Sequence, residues 1–376
     1  MKKLKYKINK CDTFLMNPHR IKQESKGAGN CIRYGTSRMQ GWRFEMEDML
    51  VAIHSLPKPY EDWSYFALFD GHLGKKAAAF CAENLLSIIL ASTSFPRDMK
   101  KAIFDSFLEI DSKIRDILDV EDECGTTAVC AFISKERLYI ANCGDSRAIL
   151  YSGGAPALIT KDHKPYTPIE KARIIQAGGY IKKGRIDGDL SVSRTLGDFK
   201  FKGNKEISTT EQKICAEPDV FVWNRTEKDE FLVLASDGIW RHIRNTELFF
   251  YIQSRLLVSS DLDQVASQVI DTCFFKGSFD NMSVVLVAFG ACSETANEAI
   301  KNDMELDLTL RRRIQDILKE KPLYFIELLK KLETTKGLPR GGGLASKCTF
   351  IESVYKNLCP EFADSIYLNT KFGHRK

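Results

Sequence analysis

The sequence lacks the signals of several large protein classes. No apolar run approaches the roughly 18 residues of a membrane-spanning helix, although 44% of the 376 residues are hydrophobic. The basic N-terminus, Met1–Lys7, has neither the apolar stretch of a secretory signal nor the composition of a transit peptide. Residue 2 is Lys2 rather than glycine, so we expect no N-myristoylation. We therefore expect no membrane anchor and a cytoplasmic or nuclear location, with the basic N-terminus as a weak nuclear signal at most.

Cysteine, histidine and net charge exclude other classes of site. The 11 cysteines include no C-x-x-C pair, and the six histidines are not spaced as a zinc ligand set. Scattered cysteines without a secretory signal indicate buried thiols in a reducing compartment. The net charge of +5 is too small to predict nucleic-acid binding, and no arginine stripe supports it. The charge does suit an anionic substrate.

Composition and the spacing of apolar residues change along the chain and predict three regions. We expect a flexible basic tail over residues 1–30, a region of alternating strands and helices over 31–290, and an all-α region of three helices over 291–376. Strand-like runs at 126–133, 137–142 and 147–151 follow one another as a meander, which indicates antiparallel sheets and an α+β fold. The polar stretch 199–215 lacks periodicity and is expected to be a loop.

Four apolar, strand-like runs each place an aspartate at one end. Asp70 and Asp237 follow such runs and precede a glycine, Asp145 follows a third run, and Asp280 precedes the fourth. One such aspartate is ordinary turn chemistry. Four that converged would repel one another by about 4 kcal/mol per pair at ~4 Å and an effective dielectric of about 20. Mg²⁺ or Mn²⁺, which prefer oxygen ligands, would turn that repulsion into binding, so the pattern predicts a metal-dependent hydrolase.

Neighbouring residues extend this hypothesis. Two metals ~3.5–4 Å apart that share a carboxylate are a known arrangement for phosphate ester hydrolysis, and Asp70 with the Gly71 carbonyl suits it. Glu47 and Asp48 would hold metal-bound waters, although an acidic surface patch is the simpler interpretation. Arg43 would match phosphate oxygens with its planar fork.

A histidine stands directly beside this aspartate. His72 follows Asp70-Gly71, and it could protonate a leaving alkoxide as a general acid. A lone histidine is more often structural.

Assembled in chain order, these segments resemble the metal-dependent protein serine/threonine phosphatases of the protein phosphatase 2C family. The C-terminal region resembles the C-terminal domain of the animal alpha/beta subgroup. The segments that carry the family resemblance are Met39-Gln40-Gly41-Trp42-Arg43, Glu45-Met46-Glu47-Asp48, Phe69-Asp70-Gly71-His72, Gly125-Thr126-Thr127-Ala128, Asn142-Cys143-Gly144-Asp145-Ser146-Arg147, Asp162-His163-Lys164-Pro165, Ala177-Gly178-Gly179, Leu190-Ser191-Val192-Ser193-Arg194-Thr195-Leu196-Gly197-Asp198, Glu217-Pro218, Ser236-Asp237-Gly238-Ile239-Trp240 and Asp280-Asn281-Met282-Ser283. The segments Leu338-Pro339 and Gly343-Leu344-Ala345-Ser346-Lys347 carry the resemblance of the C-terminal region.

The resemblance implies a four-layer α/β/β/α sandwich of two antiparallel sheets, with a C-terminal three-helix appendage. It implies a monomeric enzyme that acts on phosphoserine and phosphothreonine proteins. Two Mg²⁺ or Mn²⁺ ions per catalytic domain would activate a bridging water, which hydrolyses the ester without a phosphoenzyme. The implied residues are Asp70, Gly71, Asp237 and Asp280 as metal ligands, Arg43 as phosphate ligand, His72 as general acid, and Glu47, Asp48, Thr127 and Asp145 at the edge of the site or at a weak third metal.

The sequence departs from the family at Arg241. The family usually has an aspartate there, which would help Asp145 to hold a weak third metal. We expect Arg241 to pair with Asp145 and to abolish or weaken that third site. Two alternatives stay open: a catalytically weakened regulator that binds phosphoproteins, and a dimetal nuclease or small-molecule phosphatase.

Overall fold

A computed structural model of the chain describes residues 14–118, 123–338 and 344–366. The strands, in chain order, are β1 His19–Gly29, β2 Ile32–Gly41, β3 Met49–Ile53, β4 Ser64–Phe69, β5 Gly71–His72, β6 Gly125–Thr126, β7 Ala128–Ile133, β8 Arg137–Cys143, β9 Arg147–Ser152, β10 Ala155–Ile159, β11 Ile181–Lys182, β12 Arg185–Ile186, β13 Leu196–Gly197, β14 Asp219–Asn224, β15 Asp229–Ala235 and β16 Met282–Ala288. The α-helices are α1 Lys76–Ala91, α2 Met99–Ile117, α3 Pro168–Gln176, α4 Asp237–Trp240, α5 Asn245–Leu256, α6 Leu262–Phe275, α7 Asn297–Glu320, α8 Phe325–Glu333 and α9 Cys348–Leu358.

Two large antiparallel sheets form the centre of the molecule. The first has the strand order β1-β2-β16-β15-β9-β10, and the second has the order β14-β8-β7-β4-β3. A small three-stranded sheet, β13-β6-β5, and the hairpin β11-β12 lie outside them. The predicted α+β class with antiparallel sheets is confirmed.

Helices cover the outer face of each sheet, which gives the α/β/β/α layering that the resemblance implied. In β4, Phe66 and Leu68 belong to the core between the sheets, whereas Tyr65 and Phe69 belong to the core under α1 and α2. The first sheet is covered in the same way by α5 and α6. Because both faces of a central strand are buried, it reads as a continuous apolar run rather than an alternating one.

Antiparallel pairing brings the predicted acidic residues to one end of the sandwich. Ala235, at the end of β15, pairs with Val284 near the start of β16. Cys143, at the end of β8, pairs with Ala128 at the start of β7, and β7 also pairs with β4. The residues that follow β4, β8 and β15 therefore lie at the same edge as those that precede β16.

The expected flexible tail over residues 1–30 is wrong in its second half. β1 pairs with β2 almost from end to end, and Lys22 lies 2.6 Å from Asp271 of α6. β1 is an edge strand with largely exposed side chains, so its sequence is polar and resembles a tail. Residues 1–13 lie outside the described residues.

The predicted meander is also wrong in one respect. β7 and β8 form a hairpin, but β9 pairs with β15 in the other sheet. The turn at 144–146 therefore carries the chain from one sheet to the other. The stretch 199–215, predicted as a loop, holds one short 3₁₀ helix, Phe199–Phe201.

The three C-terminal helices form their own small core. Leu310, Leu328 and Ile351 are completely buried in it. This core contacts the two-sheet region at α6, where the rings of Phe275 and Phe325 have their centroids 6.4 Å apart. The predicted appendage of three helices is present, and residues 339–343 and 367–376 of it lie outside the described residues.

Candidate active site

A cleft of about 330 Å³ opens at the end of the sandwich where the strand ends meet. The structure brings nearly all of the predicted site residues to its wall. Asp48 is the exception, because it is completely buried and does not line the cleft. The predicted residues that line it are Arg43, Glu47, Asp70, Gly71, His72, Thr127, Asp145, Asp237 and Asp280.

Backbone contacts fix the position of Asp70 at the centre of the cleft. The Thr127 amide donates to the Asp70 carbonyl at 2.9 Å. A Cβ atom at Gly71 would lie 2.7 Å from the Glu47 carbonyl oxygen, so only glycine permits this close approach. The glycine after the first aspartate therefore lets the acidic loop 45–48 lie directly against the end of β4.

The acids of the cleft behave as a crowded set of like charges. Burial, and then the charges of Asp48, Asp237 and Asp280, hold the pKa of Asp70 well above its ordinary value. Burial, and then Asp145, raise the pKa of Asp237 to about 8. Two partly buried carboxylates whose ionised forms repel each other are stabilised when they share a cation.

A third acid points to the same chemistry. Burial raises the pKa of Asp48 to about 6. Its Oδ2 accepts from the Ser283 hydroxyl at 2.7 Å, while within the described part of the chain its Oδ1 has no hydrogen-bond partner. An oxygen-only donor set of this kind fits Mg²⁺ or Mn²⁺.

Basic side chains contact the outer acids of the cleft. Arg43 Nε lies 2.8 Å from Asp280 Oδ1, and Lys164 Nζ contacts Asp145 Oδ2. As the side chains stand, no three His, Cys, Asp or Glu residues of the described ranges enclose a point where a metal could bind. The crowding of the acids, which raises the pKa values of Asp70 and Asp237, is the feature that indicates a cation site.

Arg241 does not occupy the position that we expected. The hypothesis that it pairs with Asp145 is wrong, because Lys164 contacts that acid. The Arg241 guanidinium instead contacts Asp237 Oδ2, and its Nη1 lies 3.4 Å from Asp280 Oδ2. Arg241 follows Asp237 by four residues, so the turn of α4 directs it back over that carboxylate.

His72 has a buried carboxylate partner that sequence reasoning missed. Its Nε2 lies 2.8 and 2.9 Å from the two oxygens of Asp198, which is 2% exposed and also accepts from Thr195 Oγ1 at 2.6 Å. Burial by itself lowers the pKa of His72, but the charge and hydrogen bond of Asp198 outweigh it, so the pKa is raised. The motif that ends at Asp198 was the available signal.

Asn281 is a second residue that the sequence did not single out. Its amide nitrogen donates to the carbonyls of Gln40 and Glu45 at 2.8 and 3.0 Å, and its Oδ1 accepts from the Glu47 amide at 2.9 Å. Asn281 therefore joins the acidic loop to the start of β16. The adjacent Asp-Asn pair was the signal for it.

Known proteins match this chain over most of its length. The family model described as "Protein phosphatase 2C" matches residues 32–282. The chain belongs to the protein phosphatase 2C family. A second model, "Protein serine/threonine phosphatase 2C, C-terminal domain", matches residues 283–356 and so spans α7 to α9.

Two relatives extend the similarity across both regions. The chain is 43% identical over 369 residues to "Protein phosphatase 1B" of Homo sapiens, covering 92% of this chain and 77% of that protein. It is 42% identical over 364 residues to "Protein phosphatase 1A" of Mus musculus, covering 92% and 95%. This phosphatase is thus a protein serine/threonine phosphatase of a metal-dependent family, and phosphoproteins are its substrates.

Solved structures share the fold. A phosphatase from Toxoplasma gondii superposes with a TM-score of 0.65 at 26% identity, covering 72% of this chain and 96% of that chain. A sex-determining protein of C. elegans superposes with a TM-score of 0.61 at 25% identity, covering 70% and 66%. Within the described residues of the phosphatase, no helix has the length and apolar character to cross a membrane.

Proposed function

We propose that this phosphatase hydrolyses phosphoserine and phosphothreonine directly, with two Mg²⁺ or Mn²⁺ ions held by Asp70, the Gly71 carbonyl, Asp237 and Asp280. The observation that carries the proposal is the crowding of partly buried acids around one cleft, which raises the pKa of Asp70 and Asp237. When bound, such ions supply charge stabilisation for a phosphate ester and lower the pKa of a water nucleophile.

Arg43 is the proposed ligand of the substrate phosphate. Its Nε bond to Asp280 holds the guanidinium at the cleft, and its side chain is 41% exposed. The two terminal nitrogens form the pair that matches two phosphate oxygens. Arg43 would therefore orient the phosphorus atom and share the charge that develops on its oxygens.

His72 is the proposed general acid. The bond of Nε2 to Asp198 fixes the ring, so Nδ1 is the nitrogen that can hold the proton for the leaving serine or threonine oxygen. The raised pKa of His72 favours the protonated ring that this step requires. Asp198 acts through His72 by orienting the ring and stabilising its charge.

The remaining predicted residues are assigned supporting roles. Glu47 Oε1 accepts from the Gly74 amide at 2.6 Å, which fixes its carboxylate at the cleft. Thr127 Oγ1 and Ser146 Oγ share a hydrogen bond of 2.7 Å. Ser146 directly follows Asp145 in the chain. We assign Glu47, Asp48 and Asp145 to the water ligands of the metals and Thr127 to the shape of the cleft edge.

The test is phosphate release from a phosphothreonine peptide while Mn²⁺ or Mg²⁺ is titrated from zero to millimolar. We expect saturable turnover that a chelator abolishes, and loss of that turnover in Asp237→Asn. Peptide binding without turnover would overturn the proposal in favour of a phosphoprotein-binding regulator. Hydrolysis of a phosphodiester in preference to the peptide would favour a nuclease or small-molecule phosphatase. The comparisons support the phosphatase over both alternatives.

Location and assembly stay predictions from the sequence. We propose a cytoplasmic or nuclear monomer. Fractionation of cells and light scattering of the purified chain would test the two statements.

A further inference from the structure

A second pocket opens next to the cleft. It has a volume of about 500 Å³ and is formed by Arg147 and the segment 240–247, which runs from the end of α4 into α5. Arg241 lines both this pocket and the cleft. We refer to it as the arginine pocket. A ligand in it would lie within a few residues' reach of a phosphorylated side chain in the cleft.

The arginine pocket carries surplus positive charge. Three arginines line it, and Glu247 is the acid among its lining residues. Glu247 is itself paired with Lys276, and Arg147 is paired with Asp162 at 2.9 Å. Burial acts to raise the pKa of Glu247, but Lys276 and, to a smaller extent, the charge of Arg244 lower it. The Arg244 side chain is exposed, and within the described residues it forms no salt bridge. Its five N–H donors are available to an anion.

Arg244 breaks a local rule of helix formation. It is the N-cap residue of α5, and its side chain makes no capping hydrogen bond. Ser, Thr, Asp and Asn are preferred there because they accept from the first amides, whereas a guanidinium cannot accept and its charge opposes the helix dipole. A residue that breaks a local rule of helix stability is a candidate for a functional role.

The floor of the pocket is already organised. Arg147 Nη1 donates to Asn245 Oδ1 at 2.6 Å, and its guanidinium lies 5.0 Å from the centroid of the Trp240 ring. Trp240 Nε1 in turn donates to the Ala235 carbonyl at 2.8 Å. Little rearrangement is therefore needed before a ligand binds, which favours affinity.

We propose that the arginine pocket binds a second phosphate group carried by the same substrate chain, near the phosphoserine or phosphothreonine that the cleft hydrolyses. This inference rests on the proposed function. Arginine forks match phosphate oxygens in a bidentate manner, and a phosphate presents more charge to them than a single carboxylate does. The phosphatase would then prefer doubly phosphorylated substrates over singly phosphorylated ones.

The test compares kcat/KM for matched peptides at low ionic strength. One series carries a single phosphothreonine, a second adds a phosphoserine two to five residues away on either side, and a third places glutamate at those positions. We expect a roughly tenfold preference for the best doubly phosphorylated peptide, a smaller gain with glutamate, and loss of the preference in high salt. Free phosphoserine added to the singly phosphorylated peptide should give no gain.

The deciding variant is Arg244→Asn. Asparagine removes the guanidinium and supplies a capping oxygen, so Tm should rise by about 1–3 °C while the preference disappears and kcat/KM for the singly phosphorylated peptide is unchanged. Arg312→Gln, at an exposed position of α7, is the matched control and should keep the preference.

Three results would overturn the inference. Equal kcat/KM for singly and doubly phosphorylated peptides would remove the second site while leaving the proposed function intact. A preference that survives Arg244→Asn would place the second site elsewhere. A gain from free phosphoserine would show a site for a separate anion rather than for the substrate chain. Failure of every peptide to turn over would instead overturn the proposed function, and this inference with it.

Discussion

Arg241 should weaken the binding of divalent cations to the acids of the cleft. Its guanidinium contacts Asp237 and lies 3.4 Å from Asp280 Oδ2, so it competes directly for two of the proposed ligands. We expect Arg241→Ala to bind Mn²⁺ more tightly than the unmodified phosphatase does. Arg241→Lys, which keeps the positive charge, should bind it about as weakly.

The size of the effect follows from the geometry. An Asp280-bound Mn²⁺ would lie at most about 5.5 Å from the guanidinium nitrogen, the sum of the 3.4 Å contact and a metal–oxygen bond of about 2.1 Å. Repulsion between charges of +2 and +1 at that distance is about 1.5 kcal/mol in bulk water and about 3 kcal/mol at an effective dielectric of about 40. Because the Arg241 side chain is 50% exposed, the lower half of this range applies. The expected gain in affinity is therefore roughly 10- to 45-fold.

The assay is the concentration of free Mn²⁺, measured by electron paramagnetic resonance as the ion is titrated into each variant. This readout does not depend on turnover. Arg312→Ala, far along the chain in α7, controls for the loss of one arginine from the net charge. Equal dissociation constants for Arg241→Ala and the unmodified phosphatase would show that the guanidinium turns away at no cost, and the reasoning would be refuted.

Three further predictions follow from contacts elsewhere in the fold. Asp198→Asn should lower kcat for a phosphothreonine peptide by about 10- to 100-fold but change p-nitrophenyl phosphate turnover little, because that leaving group needs no proton; equal losses would argue against His72 as the acid. Gly35→Ala should lower the free energy of unfolding by roughly 2–4 kcal/mol, because the added Cβ would lie 2.1 Å from α6 backbone atoms. Urea unfolding would measure this loss. The control Gly203→Ala, where the added Cβ meets open space, should show no such loss. Burial acts to raise the pKa of Glu170, but its two arginine partners hold it below the ordinary 4.5, so its stabilisation should be complete above about pH 4.5 and vanish as pH falls through the lowered value; Glu170→Gln should flatten that part of the stability curve, and an unchanged curve would contradict the assignment.

The sequence predicted the strands and their terminal acids because both are local properties. A central strand such as β4 or β15 is apolar throughout, since both of its faces are covered, and the turn residues at its end are read directly from the chain. The alternation of strands and helices over residues 31–290 followed from changes in the spacing of apolar residues. The strand β1 was not predicted, because an edge strand with exposed side chains needs no apolar pattern. It forms by hydrogen-bonding to the free edge of β2.

The partners of the site residues could not be read from the chain. His72 and Asp198 are 126 residues apart, and their contact depends on how the small sheet β13-β6-β5 pairs. Whether Lys164 or Arg241 forms the ion pair with Asp145 depends on the directions of their side chains. The turn of α4 sets the direction of Arg241, and the position of the loop after β10 sets that of Lys164. Neither the closeness of His72 to Asp198 nor the directions of the Lys164 and Arg241 side chains follow from the residues next to them in the chain.

The sequence by itself determined the family-like order of acidic turns, the two-sheet class and the types of residue available for metal and phosphate binding. The tertiary structure alone decided which acids are crowded enough for their pKa values to rise, that Arg241 lies over Asp237 and Asp280, and that Arg244 lines a second pocket beside the cleft. The reason is physical. Strand and turn preferences act over a few residues, whereas burial and Coulomb interactions depend on distances that exist only after the sheets have paired.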